Sequence, residues 1–376
     1  MHPEILILGA GLMGRVAAHF FVHHPDGPYK IRLADLSRGA VDEAVEWLNS
    51  DLVESTTVDV RRDDSLEKVL TGIKVCQSCV PYFLNPMIAR ACLANGVSFV
   101  DLGGNPEVTD KILSQDAEAK AKGVSLIPDT GLAPGLTNIL AMELVRRFEK
   151  CDDVHVRVGG LPLEPIGRLK YAQFFSIHGL LNEYLEDARE IRDGKEVLVK
   201  SLDEVERLDF EGVGELEAFI TSGGTSTLTR TLLGKVQRLD YKTIRYPGHA
   251  NYLQFLREIG LTSKREFLFG GNTVSPREVL THALDESLQK NVPDRVLVRV
   301  WATGDGGREE SLELNVLRDD VNGISAMGQM TSFPSAAITR AIYMGQIPAG
   351  AHPQETVMSF ETMKSELELR WIGFRK

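Results

Sequence analysis

The sequence predicts an α/β protein: a doubly wound parallel sheet in the first third, followed by an α+β domain built on a mainly antiparallel sheet. Three observations predict it. The apolar run Ile5-Leu6-Ile7-Leu8 leads directly into Gly9-Ala10-Gly11-Leu12-Met13-Gly14 and then into helix-forming Val16, Ala17, Ala18 and Phe20. Short apolar segments alternate with helical-period segments as far as residue 130. From about Asp153 the apolar residues recur instead at every second position, the mark of half-buried antiparallel strands.

Strand, Gly-x-Gly-x-x-Gly turn and helix in that order form the dinucleotide-binding fingerprint of a Rossmann sheet. Gly9 permits the sharp turn, Gly11 lets a diphosphate approach the backbone, and Gly14 lets helix and strand pack closely. The helix start, Leu12 and Met13 included, turns unpaired N–H groups toward the phosphates. The second apolar segment, Ile31 to Ala34, ends in Asp35, 21 residues beyond Gly14. A carboxylate there accepts from the adenosine ribose hydroxyls and repels a 2′-phosphate, which favours NAD over NADP. Arg38 leaves NADP open, since a guanidinium can hold that phosphate. Read as a tight turn only, the glycines are explained but Asp35 is not.

The remaining elements follow in order. Helical spacing predicts a helix over 39–49, a strand over 56–60, and a helix over 66–70 capped by Ser65. A fourth strand over 75–80 ends at Pro81, so Val80 and Pro81 fall at the switch point beside the cofactor. Asn85-Pro86 reads as N-cap and first helical residue, with Gly96 closing that helix. A strand over 97–100 ends in Asp101-Leu102-Gly103-Gly104-Asn105, a helix covers 109–122, and a sixth strand over 124–127 ends in Pro128-Asp129. The loop Asp129 to Asn138 opens a helix to about Phe148 whose start offers N–H groups to a substrate carboxylate or the cofactor amide, or serves as a domain hinge. In the second domain, strands are expected at 154–158, 296–300 and 312–316, and helices at 178–192, 227–233 and 250–259. An apolar helix over 333–346 is expected to return to the first domain. The division is therefore 1–130 with about 331–376, and 131–330 as the substrate and dimerisation domain.

Composition narrows the function. With 376 residues, 43% hydrophobic and 25% charged, the chain has ample material for two cores. A formal charge of −11 argues against nucleic acid or an anionic membrane as partner. The first strand begins after Met1-His2-Pro3-Glu4 without a signal sequence, and four cysteines suit a reducing cytoplasm. Cys76 and Cys79, three apart on a strand, point to opposite faces. With no His-x-x-x-His or second Cys-x-x-Cys, no metal is expected.

Several segments resemble the saccharopine dehydrogenase family, and within it the L-lysine 6-dehydrogenase-like branch. They are Val80-Pro81-Tyr82, Asp101 to Asn105, Pro128 to Gly135, Gly159 to Pro162, Ser176 to Tyr184, Gly214 to Phe219 and Ile244 to His249. Thr130 stands where the family often has Cys, and His178 where an acid is common. The resemblance implies NAD(P)-linked oxidation of an amine to an imine, or the reverse, in an amino-acid substrate.

Such chemistry needs an amine stripped of its proton before its carbon releases hydride, and an amine with a pKa near 10.4 needs desolvation or a base for that. Candidate catalytic residues are Asp129, at a strand end, His249, in a Gly-flanked turn, and Tyr171. The alternative readings are a turn cap for Asp129 and a buried structural role for His249. Arg245 is the candidate fork for a substrate carboxylate, or a surface ion pair, and Asn105, Thr137 and Asn138 are further substrate-binding candidates. Competing functions are reductive condensation of an aldehyde with an amine, as in carboxynorspermidine-forming relatives, and a non-enzymatic dinucleotide sensor. A homodimer through the second domain's sheet is expected.

Overall fold

The structure is a computed structural model that describes residues 2–375. It divides into two compact units, Met1–Glu143 with Gly328–Gly373, and Leu144–Met327 with Phe374–Lys376. Among the described residues, no helix is long and apolar enough to cross a membrane.

The first unit holds seven parallel strands: β1 (Ile5–Leu8), β2 (Ile31–Asp35), β3 (Val53–Thr57), β4 (Val75–Ser78), β5 (Ser98–Asp101), β6 (Ser125–Ile127) and a late two-residue strand, Gly350–Ala351. Their order is Gly350–Ala351, β6, β5, β4, β1, β2, β3, so direction reverses between β1 and β4. Every residue of β1, β4, β5 and β6 is buried, as a sheet covered on both faces requires. The seventh strand was not anticipated; it pairs with β6 through Gly350 and Ala351.

Several boundaries move for local reasons. β3 starts three residues earlier than the apolar pattern suggests, because pairing with β2 runs from Ile31 opposite Val53 to Asp35 opposite Thr57. Ser65 does not cap its helix, which begins at Asp63; its hydroxyl accepts from Asp59 N at 3.3 Å. Asn85 is the first helical residue rather than the cap, and its buried side chain accepts from Ser78 Oγ at 2.7 Å. The expected helix over 109–122 is two, Pro106–Leu113 and Asp116–Lys122. The helix Leu136–Arg146 stops short of Phe148, and the returning helix, Ala326–Tyr343, starts seven residues early because both oxygens of Asp294 accept its first N–H groups, from Ala326 and Met327, at 2.8 and 2.9 Å.

The second unit is an eight-stranded sheet: β7 (Cys151–Pro162), β8 (Ala188–Arg192), β9 (Lys195–Val199), β10 (Glu206–Phe210), β11 (Gly214–Ile220), β12 (Arg238–Arg245), and the strands Asp294–Gly304 and Arg308–Leu317. All pairings are antiparallel except β7 with β12. The expected helix over 178–192 ends at Leu185, and Ala188–Arg192 is instead the first arm of a hairpin. Asp193-Gly194, both with positive φ, make its two-residue turn.

In the first unit, a buried ionic cluster ties the end of the first helix to the returning helix and to the helix Phe360–Glu368. Glu366 takes His24 Nε2 at 3.0 Å and Arg340 Nη1 at 2.7 Å, while Arg340 also reaches Tyr29 OH and Asp26. These partners hold the Glu366 carboxyl below its ordinary value of 4.5 against the opposing effect of burial. Glu366→Gln removes the anion that His24 and Arg340 share and is expected to cost about 3 kcal/mol in urea unfolding at pH 7. Because the folded carboxyl titrates below the unfolded one, this stabilisation is full above pH 4.5 and is lost as pH falls through the folded value. The gap between native and variant proteins should narrow as pH falls below 4.5.

Candidate functional site

In the first unit the site is built on the reversal between β1 and β4. Gly9 has φ +98°, and a Cβ there would lie 2.9 Å from the Cys79 carbonyl oxygen and 3.3 Å from Val80 Cγ1. A Cβ on Gly14 would lie 1.7 Å from the Gly9 carbonyl oxygen. Above Gly11, by contrast, there is nothing within 4 Å, and the residue is exposed. The turn is thus closed beneath Gly9 and Gly14 and open above Gly11, the shape a diphosphate needs at the N-terminus of the helix Leu12–Val22. Asp35 Oδ2 accepts from Ala10 N and Oδ1 from Ser37 N, each at 2.8 Å, so its carboxylate is locked beside the turn. Arg38 is exposed and paired with Asp42. Pro81 is exposed, and Val80 half-buried, just beyond β4. These residues fit a dinucleotide.

At the ends of β5 and β6 lies a second group. Asp101, overlooked in the sequence, is buried; its Oδ1 accepts from Gly103 N at 2.7 Å and Asp129 N at 3.0 Å, while Oδ2 has no partner among the described residues. Burial pushes its carboxyl up to about 6, against the pull of those two N–H groups. Asp129, with φ +61°, is buried and accepts from Thr109 Oγ1 at 2.9 Å. Asn105 lies nearby in sequence, but its Oδ1 caps the helix from Pro106 by accepting from Glu107 and Val108. Thr137 and Asn138 are buried in the first turn of the helix from Leu136. The N–H groups expected to be open at that helix start are taken: Leu136 by Gly131, Thr137 by Leu132, and Asn138 and Ile139 by Gly135. The tight loop closes on the helix, so its N–H groups do not serve a ligand.

In the second unit the end of β12 gathers Arg245, Tyr171, Tyr184 and His249. Arg245 is buried, its guanidinium 4.9 Å from the centre of the Tyr171 ring. Nε donates to Tyr184 OH at 2.8 Å, and Nη1 to the Ile244 carbonyl at 2.8 Å and that of Gly160 at 3.5 Å. Either two-donor edge of the fork therefore has one nitrogen already engaged by the protein, which corrects the expectation of an open carboxylate clamp and of a surface ion pair alike. His249 is the first residue of the helix His249–Glu258, not part of an open turn, and is buried. Its Nδ1 lies 2.7 Å from the Leu169 carbonyl and so carries the proton, which leaves Nε2 to accept from Tyr184 OH at 3.1 Å. Burial, then Arg245, push the imidazole down to about 3. Burial drives the Tyr171 phenol far upward and that of Tyr184 up to about 12. Glu217 of β11 accepts from Gly248 N and Ala250 N, both at 2.7 Å, and fixes the start of the same helix. Lys170 Nζ is bonded to the Pro247 carbonyl, and His178 is exposed on its helix.

Sequence reasoning missed Glu183, Tyr184 and Glu217 as well as Asp101. Their only signal was membership of the segments that carry the family resemblance.

Two outcomes follow. Gly11→Ala should leave the thermal midpoint unchanged and weaken NADH binding at least tenfold in a fluorescence titration, whereas Gly14→Ala should destabilise the fold by about 2 kcal/mol or more. The His249 ring should remain neutral at pH 5 by NMR of the imidazole nitrogens. Since its folded value lies below the unfolded 6.5, it withdraws stability progressively as pH falls from 6.5 toward 3.

Comparison with known proteins agrees with this geometry. Residues 5–127 match the saccharopine dehydrogenase NADP binding domain and residues 131–370 the saccharopine dehydrogenase C-terminal domain. The chain is 23% identical over 278 residues to the mitochondrial alpha-aminoadipic semialdehyde synthase of Bos taurus, a stretch covering 70% of this chain and 29% of that protein. The chain thus spans under a third of that curated relative's length. The fold matches apo saccharopine dehydrogenase (L-Glu forming) from Saccharomyces cerevisiae with a TM-score of 0.78 at 18% identity, covering 100% of this chain and 99% of that one. It also matches the homospermidine synthase of Legionella pneumophila, solved in complex with NAD, with a TM-score of 0.67 at 12% identity over 100% and 91% of the two chains. With an NAD(P)-binding first domain and both family segments in order along one chain, the protein belongs to the saccharopine dehydrogenase family.

Proposed function

We propose that this chain is an NAD(P)-dependent oxidoreductase that acts on a carbon–nitrogen bond of an amino acid, of the lysine 6-dehydrogenase or saccharopine dehydrogenase type, and that it prefers NAD. The observation that carries the reading is the intact dinucleotide cradle at the head of a chain that goes on to supply the family's second domain. When bound, the nicotinamide supplies the hydride acceptor, or the donor in the reverse direction. The chain's own residues do the rest.

The open backbone at Gly11 and the N–H groups at the start of the helix Leu12–Val22 hold the diphosphate. Asp35 receives the ribose hydroxyls: each of its oxygens accepts one backbone N–H and keeps further lone pairs for a sugar. Its negative charge supports NAD over NADP, and Arg38, the residue the sequence offers for a 2′-phosphate, is engaged by Asp42. The exposed Arg38–Asp42 pair is weak, so this preference rests on Asp35. Asp129 is the reading's proton-handling group in the first unit, held rigidly by Asp101 and Thr109.

The test is to follow absorbance of the reduced cofactor while the protein is offered NAD or NADP with a panel of diamino acids, then NADH or NADPH with an aldehyde, alone and with an amine. Turnover of an amine with NAD at a kcat/KM at least tenfold above that with NADP is expected. Turnover that requires aldehyde and amine together assigns the condensing reaction instead, and cofactor binding with no hydride exchange for any substrate rejects the enzymatic reading.

A further inference from the structure

One part of the second unit leaves large apolar side chains in water. The helix His249–Glu258 turns Leu253 into the core, with Leu256 packed beside it. On its other side, three and four residues apart, Tyr252, Phe255 and, just past the helix end, Ile259 are exposed, Phe255 by 55%. The chain then leaves the core at Ser263, whose N–H donates to the Gly260 carbonyl, and returns to the same point, where the Ser263 carbonyl accepts from Arg277 N at 3.1 Å. Between lie two short antiparallel strands, Phe267–Phe269 and Asn272–Val274, joined in a two-residue turn by Gly270 and Gly271, both with positive φ. On this arm Phe267, Leu268 and Phe269 are 49%, 78% and 71% exposed, so both faces of the first strand are bare.

A two-stranded ribbon with water on both faces is marginal by itself, and its outer edges carry unpaired N–H and carbonyl groups. Charge or proline ordinarily guards such an edge; this one carries Phe-Leu-Phe. At about 150–200 Å² for each fully exposed side chain, the six present roughly 600 Å², the upper end of what a lone chain shows and most of the about 800 Å² that each partner buries in a standard interface.

The charges select the partner. At the root of the arm Lys264 and Arg265 outweigh Glu266, while the helix face ends in Glu258. All four are exposed and in no ion pair among the described residues. Arg257, beside Glu258, is turned to the Ser201 carbonyl at 2.7 Å and to Asp203. An apolar arm with cations at its root thus complements an apolar face with an acid at its end, and one chain carries both. The sheet of this unit, by contrast, pairs its charges internally, as in Lys242 with Glu206 at 2.7 Å and His155 with Asp240 at 2.9 Å.

We propose that this surface binds a second copy of the chain by reciprocal arm exchange. The arm of each copy, through Phe267, Leu268 and Phe269, lies on the face that Tyr252, Phe255 and Ile259 form on the other, and brings Lys264 and Arg265 to Glu258 of the partner subunit. Such an isologous contact closes at two copies, which gives a dimer and no filament. The inference is independent of the proposed chemistry.

Sedimentation velocity on the full chain over a concentration series tests it, with Leu268→Asp on the arm and Phe255→Asp on the helix face. Native protein should sediment at twice the 41.6 kDa of one chain. Each variant should keep the native circular dichroism, because both side chains lie in water in the single chain, and should dimerise tenfold or more weakly. Mixing the two variants should restore dimer, since one contact then joins an intact arm to an intact face, and the recovery shows that both are folded. A native chain that stays monomeric overturns the proposal, in favour of a membrane surface if it co-sediments with phosphatidylserine vesicles. A dimer that either substitution leaves at native strength has its interface elsewhere and overturns it too. Variants that remain monomeric when mixed overturn the exchange.

Discussion

The first unit depends on one close approach, that of the Gly14 α-carbon to the Gly9 carbonyl. A methyl group at Gly14 would sit 1.7 Å from that oxygen, inside any van der Waals contact, so helix and strand meet at this distance only because no side chain intervenes. The approach sets the angle at which the helix Leu12–Val22 leaves the sheet, and hence where its N–H groups point. It also brings the turn against the end of β4, where the Cys79 carbonyl and Val80 lie under Gly9. A sheet whose strand order reverses between β1 and β4 leaves a crevice at just that edge. Fold and ligand site are therefore consequences of the same contact. Asp35 completes it: by accepting from Ala10 it ties the end of β2 to the glycine turn.

The second unit solves a different problem, that of keeping a guanidinium in its interior. Among the described residues Arg245 is in no ion pair; it rests on the faces of Tyr171 and Tyr184 and donates to a phenol oxygen and to backbone carbonyls. The hydrogen bonds run in one direction, from Arg245 to Tyr184, from Tyr184 to His249, and from His249 to the Leu169 carbonyl. That polarity requires a neutral imidazole, and the nearby positive charge reinforces it. A charged His249 would place two donors against a chain already facing it with a hydroxyl hydrogen. The histidine that looks most like a base in the sequence is, in the fold, the acceptor that orients Tyr184.

Much of the fold was legible because it follows from local rules. The glycine fingerprint, the acid at the end of the second strand and the period-two strands of the second unit each depend on residues close in sequence. What could not be read depends on partners far away. The register of β3 is set by β2, the early start of the helix from Ala326 by Asp294, and Asn85 is drawn from capping by Ser78. The hairpin at Ala188–Arg192 hid behind helical spacing, although Asp193-Gly194 marked its turn. At the site the same division holds. The diphosphate cradle was legible residue by residue, whereas the states of His249, Arg245, Asp101 and Glu183 are set by burial and by neighbours on other elements.

Asp101 shows how such neighbours share a task. Asp129 sits in a left-handed conformation that a non-glycine residue adopts only at some cost, so something must hold it there. Its own N–H goes to Asp101 Oδ1, and the next residue, Thr130, sends both its N–H and its hydroxyl to the Asp101 carbonyl. One residue at the end of β5 thereby fixes the loop that follows β6. Thr130 Oγ1 also meets Ser335 Oγ at 2.8 Å, which Gln77 of β4 reaches at 2.9 Å, so the clamp is continuous with the polar core beneath the sheet. The Asp129 carboxylate is in turn fixed by Thr109, whose hydroxyl donates to it. Burial raises the Asp101 carboxyl, whose Oδ2 has no hydrogen-bond partner among the described residues. In this arrangement the residue that presents the carboxylate and the residue that holds the loop are different, and without Asp101 the strained backbone of Asp129 would lose the acceptors of its own N–H and of Thr130.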